Sequence, residues 1–225
     1  LDYYKNFTQY QNAKKNITKY QKSEDYLITN LDIKTKAKLI NFKSINNDKI
    51  HPDNLGVVCA VAKILSISDQ ILQKTFNSYQ GLEHRLEFVG NVKGIKFYND
   101  SLATIPQATE YAINTIGPNL DTIILGGFDR GIDYSGLAKK VLETENIRTI
   151  IFFHGSGDRI LKEMEKLKKE LPKIFFAKNM KEAVDLCFKN AKNTCLLSCA
   201  SPSFGMFKDY KDRGDQFKKY INNYK

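Results

Sequence analysis

The residues of this sequence that could take part in chemistry are concentrated in one stretch, positions 81–104. It holds the pair His84-Arg85, a short apolar run, and then the polar segment Asn99-Asp100-Ser101-Leu102-Ala103-Thr104. An arginine fork suits phosphate oxygens, and a carboxylate suits sugar hydroxyls. In an open α/β sheet, ligands bind outside the carboxyl ends of the strands. Because the polar segment directly follows the apolar run, we predict that it contacts a ligand rather than filling a core.

Two later segments also place polar residues directly after an apolar run. The apolar run 123–125 leads into a glycine-rich loop that carries Arg130, whose planar guanidinium can bind a carboxylate. A second apolar run, 195–198, is followed by Ser203 and Phe204 just before a predicted helix, and backbone N–H groups at such an entry also suit a carboxylate. On residue types alone, the glycine-rich loop that carries Arg130 is more typical of a turn with a solvated arginine.

The sequence contains no G-x-x-x-x-G-K-[ST] segment, the loop that cradles a triphosphate with backbone N–H groups and a lysine. The segment Gly155-Ser156-Gly157-Asp158 follows an apolar run but lacks that lysine and that spacing, so it is more typical of a strand-to-helix turn. We therefore predict that this chain has no self-contained site for nucleotide phosphates.

The elements that must position these residues follow from hydrophobic periodicity. From residue 81 onward, apolar runs alternate with amphipathic segments, which is typical of a parallel sheet with crossover helices. We predict an α/β fold with a Rossmann-like, doubly wound domain over 81–225. A hairpin is expected around 90–94, and the following strands are 95–98, 122–125, 149–153, 174–176 and 195–198. The predicted helices are 106–116, 134–142, 159–170, 180–190 and 206–222.

The first 80 residues show no such strand–helix alternation. Apolar side chains at three- and four-residue spacing predict a helix over 4–20, and residues 26–30 read as a buried strand. A turn is expected at 46–48, followed by helices over 54–65 and 68–77. This block is typical of the end of a larger domain.

Composition disfavours several classes of protein. With 42% hydrophobic and 27% charged residues the chain reads as soluble and globular, and no apolar run approaches the ~20 residues of a membrane span. The net charge of +10 is spread along the whole length, which favours solvated helix faces over a nucleic-acid surface.

The four cysteines form no CxxC pair, so we expect buried free thiols in a reducing cytoplasm. No secretory signal is recognisable, and a first residue other than Met indicates a fragment.

Four blocks, in this order, resemble the Mur ligase family. They are the opening 1–17, the helix entry His51-Pro52-Asp53-Asn54, the pair GLEHRLEFV and YNDSLAT within 81–104, and the loops around Arg130 and Ser203. The resemblance covers nearly the whole chain and is strongest to the members that add D-glutamate. It implies that residues 1–80 are the end of a central ATP-binding domain, and that 81–225 form the Rossmann-like amino-acid-binding domain. In that family the phosphate loop lies further upstream, which accounts for its absence here.

The resemblance implies roles at a nucleotide and metal site. Asn54 would contact the adenine, with a plain helix N-cap at Asp53 or Asn54 as the alternative, and Arg85 and Asp100 would hold the nucleotide from the second domain. Lys14 would be a carbamylated catalytic lysine, converted from a cation into an anionic Mg²⁺ ligand. A solvated helix lysine is the alternative for Lys14.

The resemblance also implies a site for the incoming amino acid. His84 would act as a catalytic residue beside the reacting substrate, and the implied substrate-binding residues are Thr104, Arg130, Ser203, Phe204 and Tyr210. Four positions depart from the family pattern: Leu102 stands where lysine is usual, His51 where asparagine is usual, Gly205 where aspartate is common, and Tyr210 where phenylalanine is usual. The departure at Leu102 leaves the identity of the amino acid open.

The implied reaction is ATP-dependent formation of a peptide bond through an acyl phosphate, with ATP and Mg²⁺ as cofactors. The substrates would be UDP-N-acetylmuramoyl-L-alanine and D-glutamate, and the enzyme would be a cytoplasmic monomer without nucleic-acid or membrane partners. We expect the chain to be inactive alone. Two alternatives stay open: a related Mur or folylpolyglutamate-type ligase for another amino acid, and a non-catalytic basic Rossmann-like module that binds phosphates of nucleic acid.

Overall fold

A computed structural model describes residues 4–47 and 50–225 of the chain. These residues divide between two units, Leu1–Gly81 and Leu82–Lys225. The boundary predicted from the sequence lies one residue earlier, after position 80. Residues 1–3 of the opening block, and Asp48 of the turn expected at 46–48, lie outside the described residues.

The first unit has a small core. Its described elements are helix α1 (Phe7–Lys15), strands β1 (Tyr26–Ile28) and β2 (Lys38–Ile40), and helices α2 (Pro52–Ile64) and α3 (Asp69–Ser78). The two strands pair in parallel. The strand predicted over 26–30 is shorter than expected and only Leu27 in it is buried. Helices α1 and α3 contain no buried residue.

Capping decides where the helices of this unit begin. Asn6 caps α1 by accepting a hydrogen bond from the N–H of Gln9, and a 3₁₀ turn (Asn16–Thr18) follows Lys15, so the helix is shorter than the predicted 4–20. Helix α2 begins at Pro52 because Nδ1 of His51 accepts from the N–H of Asp53 at 3.3 Å. The alternative N-cap role for Asp53 or Asn54 is therefore wrong, since the cap is His51.

The second unit confirms the predicted α/β fold. Its elements in chain order are β3 (Glu87–Val92), β4 (Ile95–Asn99), α4 (Pro106–Ile116), β5 (Leu120–Gly127), α5 (Ser135–Glu143), β6 (Thr149–Gly155), α6 (Ser156–Lys166), β7 (Lys173–Phe176), α7 (Met180–Asn190), β8 (Thr194–Leu197) and α8 (Tyr210–Asn222). The sheet has the order β3-β4-β8-β5-β6-β7. Only the pairing of β3 with β4, the predicted hairpin, is antiparallel.

Strand β5 shows why the central strands read as continuous apolar runs. All eight of its residues are buried. Ile123 and Leu125 pack with Leu137 of α5 on one face, while Ile124 packs with Phe217 of α8 on the other. Helices on both faces of a parallel sheet require this pattern. Each such side chain stabilises the fold by about 1.5–3 kcal/mol on burial.

Three helices of this unit differ from the predicted bounds, and α5 (Ser135–Glu143) lies only one residue later than the predicted 134–142. Helix α6 begins at Ser156, not 159, because the carboxylate of Asp158 reaches back and accepts from the N–H of Gly155 at 2.7 Å. It ends at Lys166, and Lys168 turns the chain with a φ of +52°. Helix α8 begins at Tyr210, not 206, since Asp209 caps it by accepting from the N–H of Asp212 at 2.8 Å.

No helix within residues 4–47 and 50–225 has the length and apolarity needed to cross a bilayer. Cys187, Cys195 and Cys199 are buried free thiols, as predicted, whereas Cys59 is a free thiol that is only half-buried.

Candidate ligand-binding site at the carboxyl edge of the sheet

Five of the predicted site residues of the second unit lie in loops where the order of the strands reverses: Asp100, Thr104, Arg130, Ser203 and Phe204. The chain leaves β4, crosses β8, and enters β5, so the carboxyl ends of these three strands are neighbours. Asn99 at the end of β4 pairs with Leu197 of β8, which also pairs with Ile124 of β5. Such reversals are where open α/β sheets form ligand crevices. We call the loops 99–104, 127–134 and 198–205 the carboxyl-edge site.

Asp100 lies at the centre of this site and is buried. One carboxylate oxygen accepts from the N–H of Leu86 at 3.2 Å, and the other accepts from the hydroxyl of Ser198 at 2.7 Å. Burial raises the pKa of Asp100 to about 6, against the opposing effects of those two hydrogen bonds and of Arg85 and Arg213. The carboxylate therefore connects the loops of the site itself, and its contact with a nucleotide stays a prediction.

His84 is also buried and holds a left-handed backbone conformation, with a φ of +63°. Its Nδ1 lies 2.9 Å from the side-chain nitrogen of Asn99, which can only donate, so the ring proton belongs on Nε2. The ring packs edge-on against Tyr210, with centroids 5.9 Å apart. A non-glycine residue with this φ is uncommon and such strain clusters at functional sites.

Arg213 ties the loops of the site together. It is fully buried in α8. Its guanidinium donates to the hydroxyl of Ser101 at 2.9 Å, to the carbonyl of Ser101 at 2.7 Å and to the carbonyl of Ser201 at 3.0 Å. It thereby joins the loops after β4 and β8, and every one of these bonds is charge-assisted.

Arg130 reaches from the loop after β5 to the loop after β4. Its Nη2 donates to the carbonyl of Thr104 at 2.8 Å, which brings together two of the predicted substrate-binding residues. The loop is shaped by Asp129, whose carboxylate accepts from the N–H of Gly131 at 2.9 Å and from Nη1 of Arg159 at 2.8 Å. The Nε of Arg130 is buried and has no hydrogen-bond partner among the described residues.

The remaining predicted substrate residues divide between two places. Phe204 lies edge-on to Phe128 with centroids 6.0 Å apart, so the loop after β8 meets the Arg130 loop. Ser203 is buried, and its carbonyl accepts from the N–H of Phe207 at 3.0 Å. Tyr210 makes its contacts elsewhere, with the ring of His84 and, through its carbonyl, with the hydroxyl of Ser101 at 2.7 Å.

The predicted nucleotide and metal residues of the first unit are exposed. Nζ of Lys14 lies 5.5 Å above the ring of Tyr10, and Asn54 is the third residue of α2. In the described residues, no group of three His, Cys, Asp or Glu side chains surrounds Lys14. Because Mg²⁺ prefers several oxygen ligands, Lys14 would be one ligand of a site completed by other groups. Its carbamylation stays a prediction.

Glu83, His84 and Asp215 form a group with metal-ligating spacing in the described part of the chain. Lys218 lies inside this group: its Nζ is 3.2 Å from Asp215 and 3.3 Å from Glu87, and it also pairs with Glu83. The ammonium already balances these carboxylates. We therefore interpret the group as an ion-pair network that ties α8 to residues 83–87.

Sequence reasoning did not find a chain of buried hydroxyls in the site. The hydroxyl of Ser156, at the start of α6, lies 2.8 Å from that of Ser201 and 3.2 Å from the carbonyl of Gly127. Ser198 similarly joins Asp100 to Thr109. Serines at the carboxyl ends of apolar runs were the available signal. The pairing itself depends on contacts 45 and 89 residues apart in sequence.

A cleft of about 600 Å³ lies at the opposite edge of the same sheet. It is lined by residues at the amino ends of β5, β6 and β7, including Asp121, Arg148 and Lys173. None of the predicted site residues lies there. The polar groups that converge on one place are at the carboxyl edge, so we assign the candidate site to that edge rather than to this cleft.

The fold and this site define an α/β domain with a ligand crevice at the strand-order reversal. A family model described as "Mur ligase, glutamate ligase domain" matches residues 84–201, slightly more than half of the chain. The chain therefore belongs to the Mur ligase family.

Individual relatives agree with this assignment. A UDP-N-acetylmuramoylalanine–D-glutamate ligase of Aquifex aeolicus is 30% identical, over 98% of this chain and 59% of its own length. A ligase of the same name from Caldanaerobacter subterraneus is 29% identical, over 98% of this chain and 57% of its own. The crystal structure of MurF ligase from Thermotoga maritima in complex with ADP shares the fold, with a TM-score of 0.61 and 15% identity over 96% of this chain and 58% of that one. The chain thus spans little more than half the length of these relatives.

Proposed function

We propose that this chain is the carboxyl-terminal part of an ATP-dependent ligase that joins D-glutamate to UDP-N-acetylmuramoyl-L-alanine. The contact between Phe128 and Phe204 carries the proposal, because it brings the loop of Arg130 beside the loop of Ser203. Two loops with carboxylate-binding groups, side by side, suit an amino acid with two carboxylates. The names of the two relatives above support the choice of D-glutamate.

In this proposal the carboxyl-edge site holds the attacking amino acid. Arg130 and the neighbouring Thr104 would bind one carboxylate, and Ser203 with the N–H of Phe204 would bind the other. Holding both ends fixes the direction of the amine, and well-oriented reactants gain much of their rate from such positioning. His84 and Tyr210 pack against each other beside this site, so their predicted roles next to the substrate are compatible with the geometry.

ATP would supply the phosphoryl group that activates the substrate carboxylate, with Mg²⁺ balancing its charge. The exposed guanidinium of Arg85 would bind nucleotide phosphate, Asn54 the adenine, and Lys14 as its carbamate the metal. The phosphate loop would lie in the part of the complete enzyme that this chain does not span. MurF ligase of Thermotoga maritima was crystallised with ADP, which supports a nucleotide in the complete enzyme. We place this enzyme in the cytoplasm as a monomer.

The proposal is tested by amide formation with a panel of amino acids. The longest reading frame that encodes this chain should convert ATP, UDP-N-acetylmuramoyl-L-alanine and D-glutamate into the amide, ADP and phosphate, whereas residues 1–225 alone should form none. Preference for another amino acid would overturn the choice of D-glutamate. It would indicate that Leu102, which replaces the lysine usual in the family, accompanies a change of substrate. Turnover by residues 1–225 alone would contradict the proposal that part of the active site lies outside this chain.

A further inference from the structure

Two buried polar atoms of the carboxyl-edge site lack hydrogen-bond partners, and they lie on one loop. Among the described residues, Nε of Arg130 and the hydroxyl of Tyr134 are the side-chain nitrogen and oxygen atoms in this condition. Buried polar groups are normally paired, and an unpaired one calls for an explanation such as an absent ligand. Both belong to the segment between β5 and α5.

Tyr134 packs in the core beneath the site, and its hydroxyl lies beside Ser156. Tyr134 is 1% exposed and its ring lies 5.4 Å from the guanidinium of Arg159. Ser156, which contacts Gly127 and Ser201, lowers the pKa of this hydroxyl through a hydrogen-bonding interaction, although the pair does not meet the geometry of a full hydrogen bond. The hydroxyl is therefore held where the loops after β5 and β8 meet.

The chemistry of the two atoms defines what they would bind. An arginine Nε only donates, so its partner must be an acceptor. Burial raises the pKa of Tyr134, against the lowering effects of Ser156, Arg159 and Arg130, so the phenol remains protonated and able to donate. Two donors beside a guanidinium charge suit an anionic acceptor such as a carboxylate.

We propose that the hydroxyl of Tyr134, together with Nε of Arg130, binds one carboxylate of the incoming amino acid. This inference rests on the proposed function and assigns Tyr134 as a further substrate-binding residue. A Tyr134→Phe substitution keeps the buried ring and removes only the unpaired hydroxyl. In the ligand-free chain it should leave the midpoint of thermal unfolding unchanged or raise it.

The test is isothermal titration of the 225-residue chain with D-glutamate and with glutarate, a dicarboxylate without the amine. Wild type should bind both probes, and Tyr134→Phe should weaken both by about 10-fold, the loss expected for one hydrogen bond to a charged group. Tyr220→Phe, in α8 outside the site, is the matched control and should bind like wild type.

The outcomes separate this inference from the proposed function. Equal affinities of wild type and Tyr134→Phe would overturn the inference, and a lower unfolding midpoint in the same variant would then assign the hydroxyl to a buried water. Binding of glutarate but not D-glutamate, weakened in Tyr134→Phe, would uphold the inference and contradict the amino acid of the proposed function. Wild type that binds neither probe would contradict both.

Discussion

The carboxyl of Asp100 couples the stability of the second unit to pH. Its pKa is raised from 3.8 to about 6 in the folded chain, so the folded state holds this proton more tightly than the unfolded state does. Its stabilising contribution is therefore complete below about pH 4 and is lost as the pH rises through 6. A difference of about 2 pKa units corresponds to roughly 3 kcal/mol.

An Asp100→Asn variant isolates this effect, because the amide does not titrate. The free energy of unfolding of wild type, minus that of the variant, should fall by roughly 2.5 kcal/mol between pH 4 and pH 7. Urea unfolding of both proteins at several pH values measures it, and the other carboxylates cancel in the difference. A difference that stays constant, or that grows with pH, would show that burial does not control this carboxyl.

A second prediction for a single residue concerns Arg213. Arg213→Met keeps an unbranched apolar side chain in place of the arginine stem but removes the three hydrogen bonds to the loops after β4 and β8. We expect a loss of about 2–4 kcal/mol in the free energy of unfolding. Arg148→Met, at an exposed arginine, is the control and should change it by less than about 0.5 kcal/mol. Similar losses in both variants would contradict the role given to Arg213.

The sequence predicts individual site residues where a side chain has one obvious chemistry. Arg130 and Thr104 were expected to serve one site, and the structure joins them by a hydrogen bond. Tyr134 and the Ser156–Ser201 pair were not foreseen. A buried tyrosine looks like an ordinary core residue in sequence, and the partner of a serine is set by tertiary packing rather than by local pattern.

At the scale of elements, the close approach of α8 to residue 84 depends on a glycine. A Cβ at Gly214 would lie 2.2 Å from Nδ1 of His84 and 2.9 Å from the side-chain nitrogen of Asn99. Alanine favours a helix by about 1 kcal/mol over glycine, but such overlap costs more. Gly214→Ala should therefore lower the free energy of unfolding by about 1–3 kcal/mol.

Gly136, in helix α5, provides the matched control. A Cβ there would meet only the flexible carboxylate of Glu110, at 3.3 Å. Gly136→Ala should be neutral or stabilise by up to about 1 kcal/mol. Thermal unfolding of both variants measures the contrast. If the two substitutions had the same effect, the contact between α8 and His84 would not limit the packing of this helix.

The bounds of elements with strong hydrophobic periodicity were predictable to within a few residues. Helices α4 and α7 have the predicted bounds, because Pro106 begins one and Asn179 caps the other. The starts of α6 and α8 were missed, since Asp158 and Asp209 act as capping residues within segments that read as loops. Caps are local chemistry, but choosing between neighbouring candidates depends on the fold.

At the scale of the whole molecule, the two units differ in how much apolar surface they bury. Leu27, Leu55 and Ala62 are the buried hydrophobic residues of the first unit within its described part, whereas β5 alone buries eight residues. Amides in α1 and α3 should therefore exchange with deuterium far faster than those in β5, β6 and β8. Mass-spectrometric hydrogen exchange measures this, and equal protection in both units would contradict it.

The central claim is that the carboxyl edge of the sheet, rather than the cleft at its opposite edge, binds the amino acid. Backbone amide chemical shifts of the 225-residue chain, recorded during a titration with D-glutamate, test it most directly. We predict saturable shifts within 99–104, 127–134 and 198–205, with L-glutamate producing smaller ones. Shifts confined to the cleft around Arg148 and Lys173, or no shifts at all, would contradict the account.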